Sequence, residues 1–219
     1  MKIKVLKDIL GVNEQIARKN RELLEKNKVF SVNIMASPGA GKTSLVLQTI
    51  KALRDKVKVG VIEGDISSSI DAQTVGKEGV PVVQINTGGE CHLDANMIQN
   101  ALNNLPLKDI DLLLIENVGN LVCPAEFNLG EHRKVLVASV PEGDDKPYKY
   151  PLMFTTVDVV VLNKTDLLPY VKFNADAFTK AVKGINAKVA IFPVSCTTGE
   201  GIPAWAKWLK AQMRPARNK

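Results

Sequence analysis

Four groups of residues in this 219-residue chain have the types and spacing to do chemistry. The first is Ser37-Pro38-Gly39-Ala40-Gly41-Lys42-Thr43-Ser44. Gly39 and Gly41 let the backbone curl with its N–H groups pointing inward, and a helix starting near Lys42 adds the positive end of its dipole. Such a loop cradles phosphates. Lys42 is then placed to reach the β and γ phosphates, and the Thr43 hydroxyl to coordinate magnesium. Residues 39–44 (Gly39, Ala40, Gly41, Lys42, Thr43 and Ser44) are the candidate nucleotide contacts. The pattern is the phosphate loop G-x-x-x-x-G-K-S/T with one departure, Ala36 in place of the first glycine. That departure matters little if Ala36 sits at a strand end with negative φ.

The second group is Asn163-Lys164-Thr165-Asp166, about 120 residues further on. Asp166 can accept hydrogen bonds from guanine N1–H and the exocyclic amine. Adenine offers neither donor and would leave the carboxylate unpaired, at a cost of roughly several kcal/mol. Lys164 would lie along the base, and Asn163 would tie this loop to the phosphate loop. Ser195-Cys196-Thr197 resembles a second base-contacting loop, S-A-K in many GTPases, with a backbone N–H left to read guanine O6. Together the motifs predict a GTPase that hydrolyses GTP slowly.

The third group is acidic. Glu63-Gly64-Asp65, Asp71 and Glu116 fall at or just after candidate strand ends, where phosphate-loop proteins hold magnesium. Glu116 is the candidate magnesium carboxylate together with Thr43. Asp71 is a switch candidate for magnesium and Asp65 for the attacking water, although a helix cap or plain solvation would also account for either. Gly119 could give its N–H to the γ-phosphate and move when that group leaves. Lys42, Asp65 and Gly119 are thus the candidate catalytic residues.

The fourth group is Cys91-His92 with the more distant Cys123. Two thiols and an imidazole suit Zn²⁺ or Ni²⁺. On spacing alone, two reduced cysteines and a helix-cap histidine explain the pattern as well.

These groups need elements to position them. Apolar runs rich in Val and Ile occupy 29–36, 57–63, 80–85, 111–116, 132–140, 157–162 and 188–194, without period-two alternation, as strands buried on both faces read. Helix-length segments fall at 42–53, 71–78, 91–102, 174–183 and 202–213, and Val5, Ile9, Val12, Ile16 and Leu23 predict a helix over 2–26. The expectation is one α/β domain spanning 1–219, a doubly wound, mostly parallel seven-stranded sheet with helices on both faces. The segment 142–150, polar and holding Gly143 and Pro147, reads as a mobile loop.

Charge is +6, but Lys and Arg are scattered and aromatics are only 5%, which favours a solvated surface over nucleic-acid binding. No run approaches a membrane span and no signal-peptide core is visible, so a cytoplasmic location is expected. Three cysteines argue against a disulfide framework in that setting.

Residues 37–43, Glu63-Gly64-Asp65-Ile66, Gly89-Glu90-Cys91-His92-Leu93-Asp94-Ala95, Glu116-Asn117-Val118-Gly119-Asn120-Leu121-Val122-Cys123-Pro124 and Asn163-Lys164-Thr165-Asp166 together resemble the HypB-type hydrogenase nickel-incorporation GTPases. These are metallochaperone P-loop GTPases related to the urease accessory GTPases. The resemblance runs from about Ile16 onward. It implies a nickel or zinc site of Cys91, His92 and Cys123 at an interface between two protomers, a nucleotide-dependent homodimer, a HypA-type nickel chaperone and the hydrogenase large subunit as partners, and Mg²⁺ with GTP. The chain departs from some members. No cysteine precedes Cys91, no His-rich stretch is visible, and Asn96 and Asn100 stand where certain members place histidines. Rival readings are a metallochaperone for urease or a cobalamin enzyme, a small-molecule P-loop kinase, and a metal store. Asp166 argues against the kinase and the Cys91–Cys123 pattern against the other metallochaperones.

Overall fold

The computed structural model describes residues 9–217. In chain order the elements are α1 (Ile9–Lys26), β1 (Phe30–Ala36), α2 (Lys42–Leu53), β2 (Val59–Asp65), α3 (Ile70–Gly76), β3 (Val82–Asn86), α4 (Ala95–Leu102), β4 (Leu112–Glu116), β5 (Arg133–Ser139), α5 (Lys146–Lys149), α6 (Pro151–Thr156), β6 (Val159–Asn163), α7 (Ala175–Ile185), β7 (Ala190–Pro193) and α8 (Ile202–Arg217). The seven strands form one sheet in the order β3-β2-β4-β1-β5-β6-β7. Every pairing is parallel, so the sheet is wholly rather than mostly parallel.

β-branched runs make this sheet because both of its faces are covered. On one face Val32, Ile34, Val61, Leu114, Val137 and Val161 pack under Leu45 and Ile50 of α2, Val75 of α3 and Trp205 and Leu209 of α8. Trp205 buries its ring completely and donates its Nε1–H to Thr49 Oγ1 at 2.9 Å. On the other face Ile62, Leu113 and Ile115 meet Leu24 of α1 and Ile98 of α4. Met35, Leu136 and Val160 meet Phe154 of α6 and Phe178 of α7. Each fully buried aliphatic side chain contributes about 2 kcal/mol.

α1 carries its expected helical period, but on a different stripe. Asn13, Ala17, Asn20 and Leu24 are buried, while Val12 is 57% exposed. Residues 2–8 of the expected helix lie outside the described residues. The two buried asparagines explain the rotation. Asn13 Oδ1 accepts from Ala95 N at 2.8 Å and its Nδ2 donates to Asn128 O at 2.7 Å; Asn20 Nδ2 donates to Ala95 O and Leu129 O. Both amide nitrogens are paired, although Asn20 Oδ1 is buried without a partner, and replacing either asparagine with an apolar residue would strand buried backbone groups at about 1–3 kcal/mol each. Gly130, at φ +93°, is seated against Ala17 and Asn20, where any Cβ would collide with the α1 backbone.

Two other local expectations differ. The segment at 142–150 contains α5, preceded by a capping box in which Ser139 and Glu142 bond reciprocally. Pro147 falls in the first turn of α5, where its missing N–H has no helical partner to lose. The short helix α6 was not anticipated. Among the described residues no helix is long and apolar enough to cross a membrane.

At the opposite end of the sheet from the phosphate loop, His132 Nδ1 accepts from Ser31 N at 3.0 Å, and its Nε2 is buried without a partner. Burial first, then the charges of Arg21 and Arg133, lower its pKa to about 4. The unfolded chain protonates His132 near its ordinary value, about 6.5, so its contribution to stability is whole above pH 6.5 and is lost as pH falls towards 4. The urea unfolding midpoint should fall across that window, and His132→Asn, which keeps an acceptor for Ser31 but does not titrate, should flatten the fall.

Candidate nucleotide and metal site

β1 ends at Ala36, which is fully buried and absent from the positive-φ residues, so the departure from the first glycine is accommodated. Gly39 (φ +75°) and Gly41 (φ +100°) then adopt the left-handed conformations that the loop requires, and α2 begins at Lys42. Gly41 has a second constraint, since a Cβ there would run into the Asn163 amide. The loop opens on a cleft of about 510 Å³ whose walls include Lys42, Thr43, Asp65, Asp71, Glu116 and Gly119. All six residues assigned to catalysis or magnesium from the sequence therefore face one space.

β4 lies between β1 and β2, and the register sets Glu116 directly beside Glu63. Thr43 Oγ1 donates to Glu116 Oε1 at 2.9 Å, and Lys42 Nζ is 4.0 Å from the same oxygen. Glu116 Oε2 and Glu63 Oε1 are buried and receive no donor from the protein when both groups are ionised. Burial, reinforced by the charge of Glu116, pushes Glu63 up to about 10, and burial also raises Glu116 against the pull of Lys42 and Thr43. A proton on Glu63 supplies the missing donor between them at neutral pH. Two under-satisfied carboxyl oxygens beside a threonine hydroxyl form a hard-oxygen donor set that fits Mg²⁺. Glu63 was named among the strand-end acids but given no role from sequence. It stands at the same strand level as Glu116, a relation visible only once the strand order is known.

Asp65 closes its own turn, accepting from Ser67 N at 2.9 Å and Ser68 N at 2.7 Å, and these bonds hold its carboxyl below the usual range. Asp71 lies in the first turn of α3 and does not cap it; Ser69 occupies the cap position. Gly119 is packed against Pro38, whose N, Cα and Cγ would lie 3.0–3.1 Å from a Cβ there, so a larger residue would push on the phosphate loop.

At the base loop, Asn163 Nδ2 donates to Ala40 O at 3.0 Å and its Oδ1 accepts from Cys196 N at 3.2 Å. Of the backbone N–H groups in the 195–197 loop expected to read guanine O6, that of Cys196 is already given to Asn163 and would have to bifurcate to do so. Lys164, left-handed at φ +62°, reaches back to Gly39 O at 2.7 Å. Ser195 Oγ donates to Asp166 Oδ1 at 2.5 Å, aiming the carboxylate. Burial, then the charge of Asp166, raises the Cys196 thiol to about 11, which keeps it protonated and unsuited to metal binding.

Cys91, His92 and Cys123 converge, with their ligating atoms all within 4.8 Å of one another. Cys91 Sγ lies 3.1 Å from Cys123 Sγ and 3.8 Å from His92 Nδ1, and the His92 ring packs on Phe127 at 3.9 Å. Hydrogen bonding to Cys123 and then burial raise the Cys91 thiol. Two soft donors and one borderline donor in this space fit nickel or zinc. The pair does not open the helix, as the sequence suggested. α4 starts at Ala95, capped by Asp94 Oδ1 accepting from Met97 N at 2.7 Å, and Cys91 and His92 lie in the loop before it.

The description CobW/HypB/UreG, nucleotide-binding domain, matches residues 30–193. The hydrogenase maturation factor HypB of Rhizobium leguminosarum bv. viciae is 48% identical over 219 residues, covering 99% of this chain and 73% of the relative. Among solved structures, the hydrogenase maturation factor HypB from Archaeoglobus fulgidus superposes with a TM-score of 0.87 at 40% identity, covering 93% of this chain and 99% of that one. HypB from Helicobacter pylori in complex with nickel gives 0.89 at 36% identity, covering 93% and 95%. This chain belongs to the CobW/HypB/UreG family of nucleotide-binding domains, among its HypB hydrogenase maturation factors.

Proposed function

We propose that this chain is a slow GTPase and a metallochaperone that carries nickel to a nickel–iron hydrogenase during its maturation. The observation that carries the reading is the convergence of Cys91, His92 and Cys123 within 4.8 Å, with Cys123 four residues beyond a glycine packed on the phosphate loop. Gly119 senses the γ-phosphate through its N–H, so nucleotide state reaches a metal ligand along four residues of chain. The nickel-bound Helicobacter pylori relative supports nickel as the cargo; zinc suits the same donors.

In this reading residues 39–44 bind the phosphates, Lys42 neutralises charge on the γ-phosphate and Asp65 orients water. Asn163, Lys164 and Asp166 read guanine, with Ser195 and Cys196 shaping that loop. Thr43, Asp71 and Glu116 hold Mg²⁺, which supplies charge neutralisation at the β and γ phosphates when bound. A proton held on Glu63 leaves Glu116 as the ionised partner for the metal. One domain spanning 1–219 acts in the cytoplasm as a nucleotide-dependent homodimer. Pairing brings two Cys91 and two Cys123 thiolates together, enough for a four-coordinate site. A HypA-type chaperone and the hydrogenase large subunit are the partners; nucleic acid and membrane are not.

The test of the whole reading is nickel calorimetry on the protein alone, with GDP, and with a non-hydrolysable GTP analogue. The analogue should change nickel affinity by at least about fivefold, a coupling of roughly 1 kcal/mol; identical binding in all three states removes the delivery function. Cys91→Ala and Cys123→Ala should each lose nickel stoichiometry while keeping GTP affinity within about threefold, as metal analysis and nucleotide titration would record. Asp166→Asn replaces an acceptor with a donor facing guanine N1–H and amine. GTP affinity should drop about 100-fold, and xanthosine triphosphate, which presents an acceptor at C2, should recover much of it.

A further inference from the structure

The loop that carries Cys91 and His92 is not free to move as one piece. Asn117 is 1% exposed, and its own N–H donates to Ile34 O in β1 at 2.9 Å. Its side chain donates to Asn33 Oδ1, also in β1, at 3.2 Å. Its Oδ1 accepts from Leu93 N at 3.0 Å, and the Leu93 side chain is wedged against Gly64 of β2. Leu93 is therefore pinned to the rigid sheet. Three residues past Asn117, and just past Gly119, Asn120 Nδ2 donates to Cys91 O at 3.3 Å, while Asn120 Oδ1 accepts from Val122 N at 2.9 Å in a local turn. On the other side of Cys91 stand Gly88 (φ +66°) and Gly89 (φ +118°). The segment thus has a fixed pivot at Leu93, a glycine turn at 88–89, and two ties from Cys91 to the chain past Gly119: the Asn120 amide on its carbonyl, and the Cys123 sulfur 3.1 Å from its thiol.

We propose that Asn120 is the positioning residue that makes Cys91 travel with Cys123 when Gly119 shifts. The inference deepens the metallochaperone reading and rests on Gly119 as its sensor. Without the Asn120 bond only the weak thiol–thiol contact would link Cys91 to the Cys123 segment, against the hold of the sheet on Leu93, and the pair would open. With it, both thiols keep their separation and are re-presented together, so nucleotide state alters how the donor set meets a second copy of this chain more than the set itself.

Hydrogen exchange with mass spectrometry on the nickel-free protein tests this apart from metal binding, comparing GDP with a non-hydrolysable analogue over peptides spanning 91–94 and 117–123. In the unaltered chain both windows should respond to the switch. Asn120→Ser keeps an acceptor for Val122 N but cannot reach Cys91 O; the 117–123 response should persist and the 91–94 response should fall at least threefold. Asn120→Asp, which keeps the local turn and repels the Cys91 carbonyl, should give the same pattern if the serine variant folds poorly. An undiminished 91–94 response in the variants, or a 91–94 window silent in the unaltered chain while 117–123 responds, overturns the inference and leaves the metallochaperone reading intact. Silence in both windows overturns the sensor role of Gly119 and the inference with it, whatever the nickel titrations give.

Discussion

Backbone pairing of β4 to β1 on one side and β2 on the other is the constraint on which the site depends. Four strands in sequence order could have been laid side by side; instead the fourth is inserted between the first two. The insertion brings three chain segments to one crest: the phosphate loop after β1, the acids at the end of β2, and the Glu116–Gly119 turn after β4. Parallel strands bonded on both edges allow little slippage, because a one-residue shift would turn buried Ile115 and Leu113 away from their neighbours. The crest is therefore held rigidly while the loops above it are free to respond.

The polar groups under that crest are satisfied in a chain that runs across the sheet. Asn117 bonds to Asn33, Asn33 donates to Glu131 Oε1 at 3.3 Å, and Glu131 Oε2 accepts from Leu129 N at 2.7 Å. Lys134 stands 3.8 Å from Glu131. Such a network adds little net stability compared with an apolar core, but it penalises any arrangement that leaves one member unpaired. Among the described residues four buried side-chain atoms lack a partner, Asn20 Oδ1, His132 Nε2, Glu63 Oε1 and Glu116 Oε2, and the last two lie in the cleft, where a need for a donor or a cation falls beside the phosphate loop.

What the sequence disclosed follows from how local each signal is. The phosphate loop and Asn163–Asp166 were legible because each packs its chemistry into a few consecutive residues between a buried strand and the next turn. Cys91, His92 and Cys123 were legible as a set only through resemblance, since 32 residues separate the two thiols that end 3.1 Å apart. The start of α4 was placed at Cys91 rather than Ala95 because Asp94 was not recognised as the cap that accepts from Met97 N. The pairing of Glu63 with Glu116 and the stripe of α1 were not legible, for a shared reason. Strand order and the partners of buried amides are tertiary facts, and an asparagine on a helix reads as solvent-facing until its partners are known.

α1 also bears on the order in which the molecule comes together. Asn13 finds its partners at residues 95 and 128, separated from it by 82 and 115 positions. Ribosomal synthesis delivers α1 first, yet four strands must exist before anything can receive it. The helix is thus early in time and late in assembly, and the floor beneath the cysteine loop is completed only when it docks. Until it docks, the backbone at Ala95, just past the Cys91–His92 loop, and at Asn128 lacks the amide partners that Asn13 supplies, so that loop is the last part of the crest to gain its support.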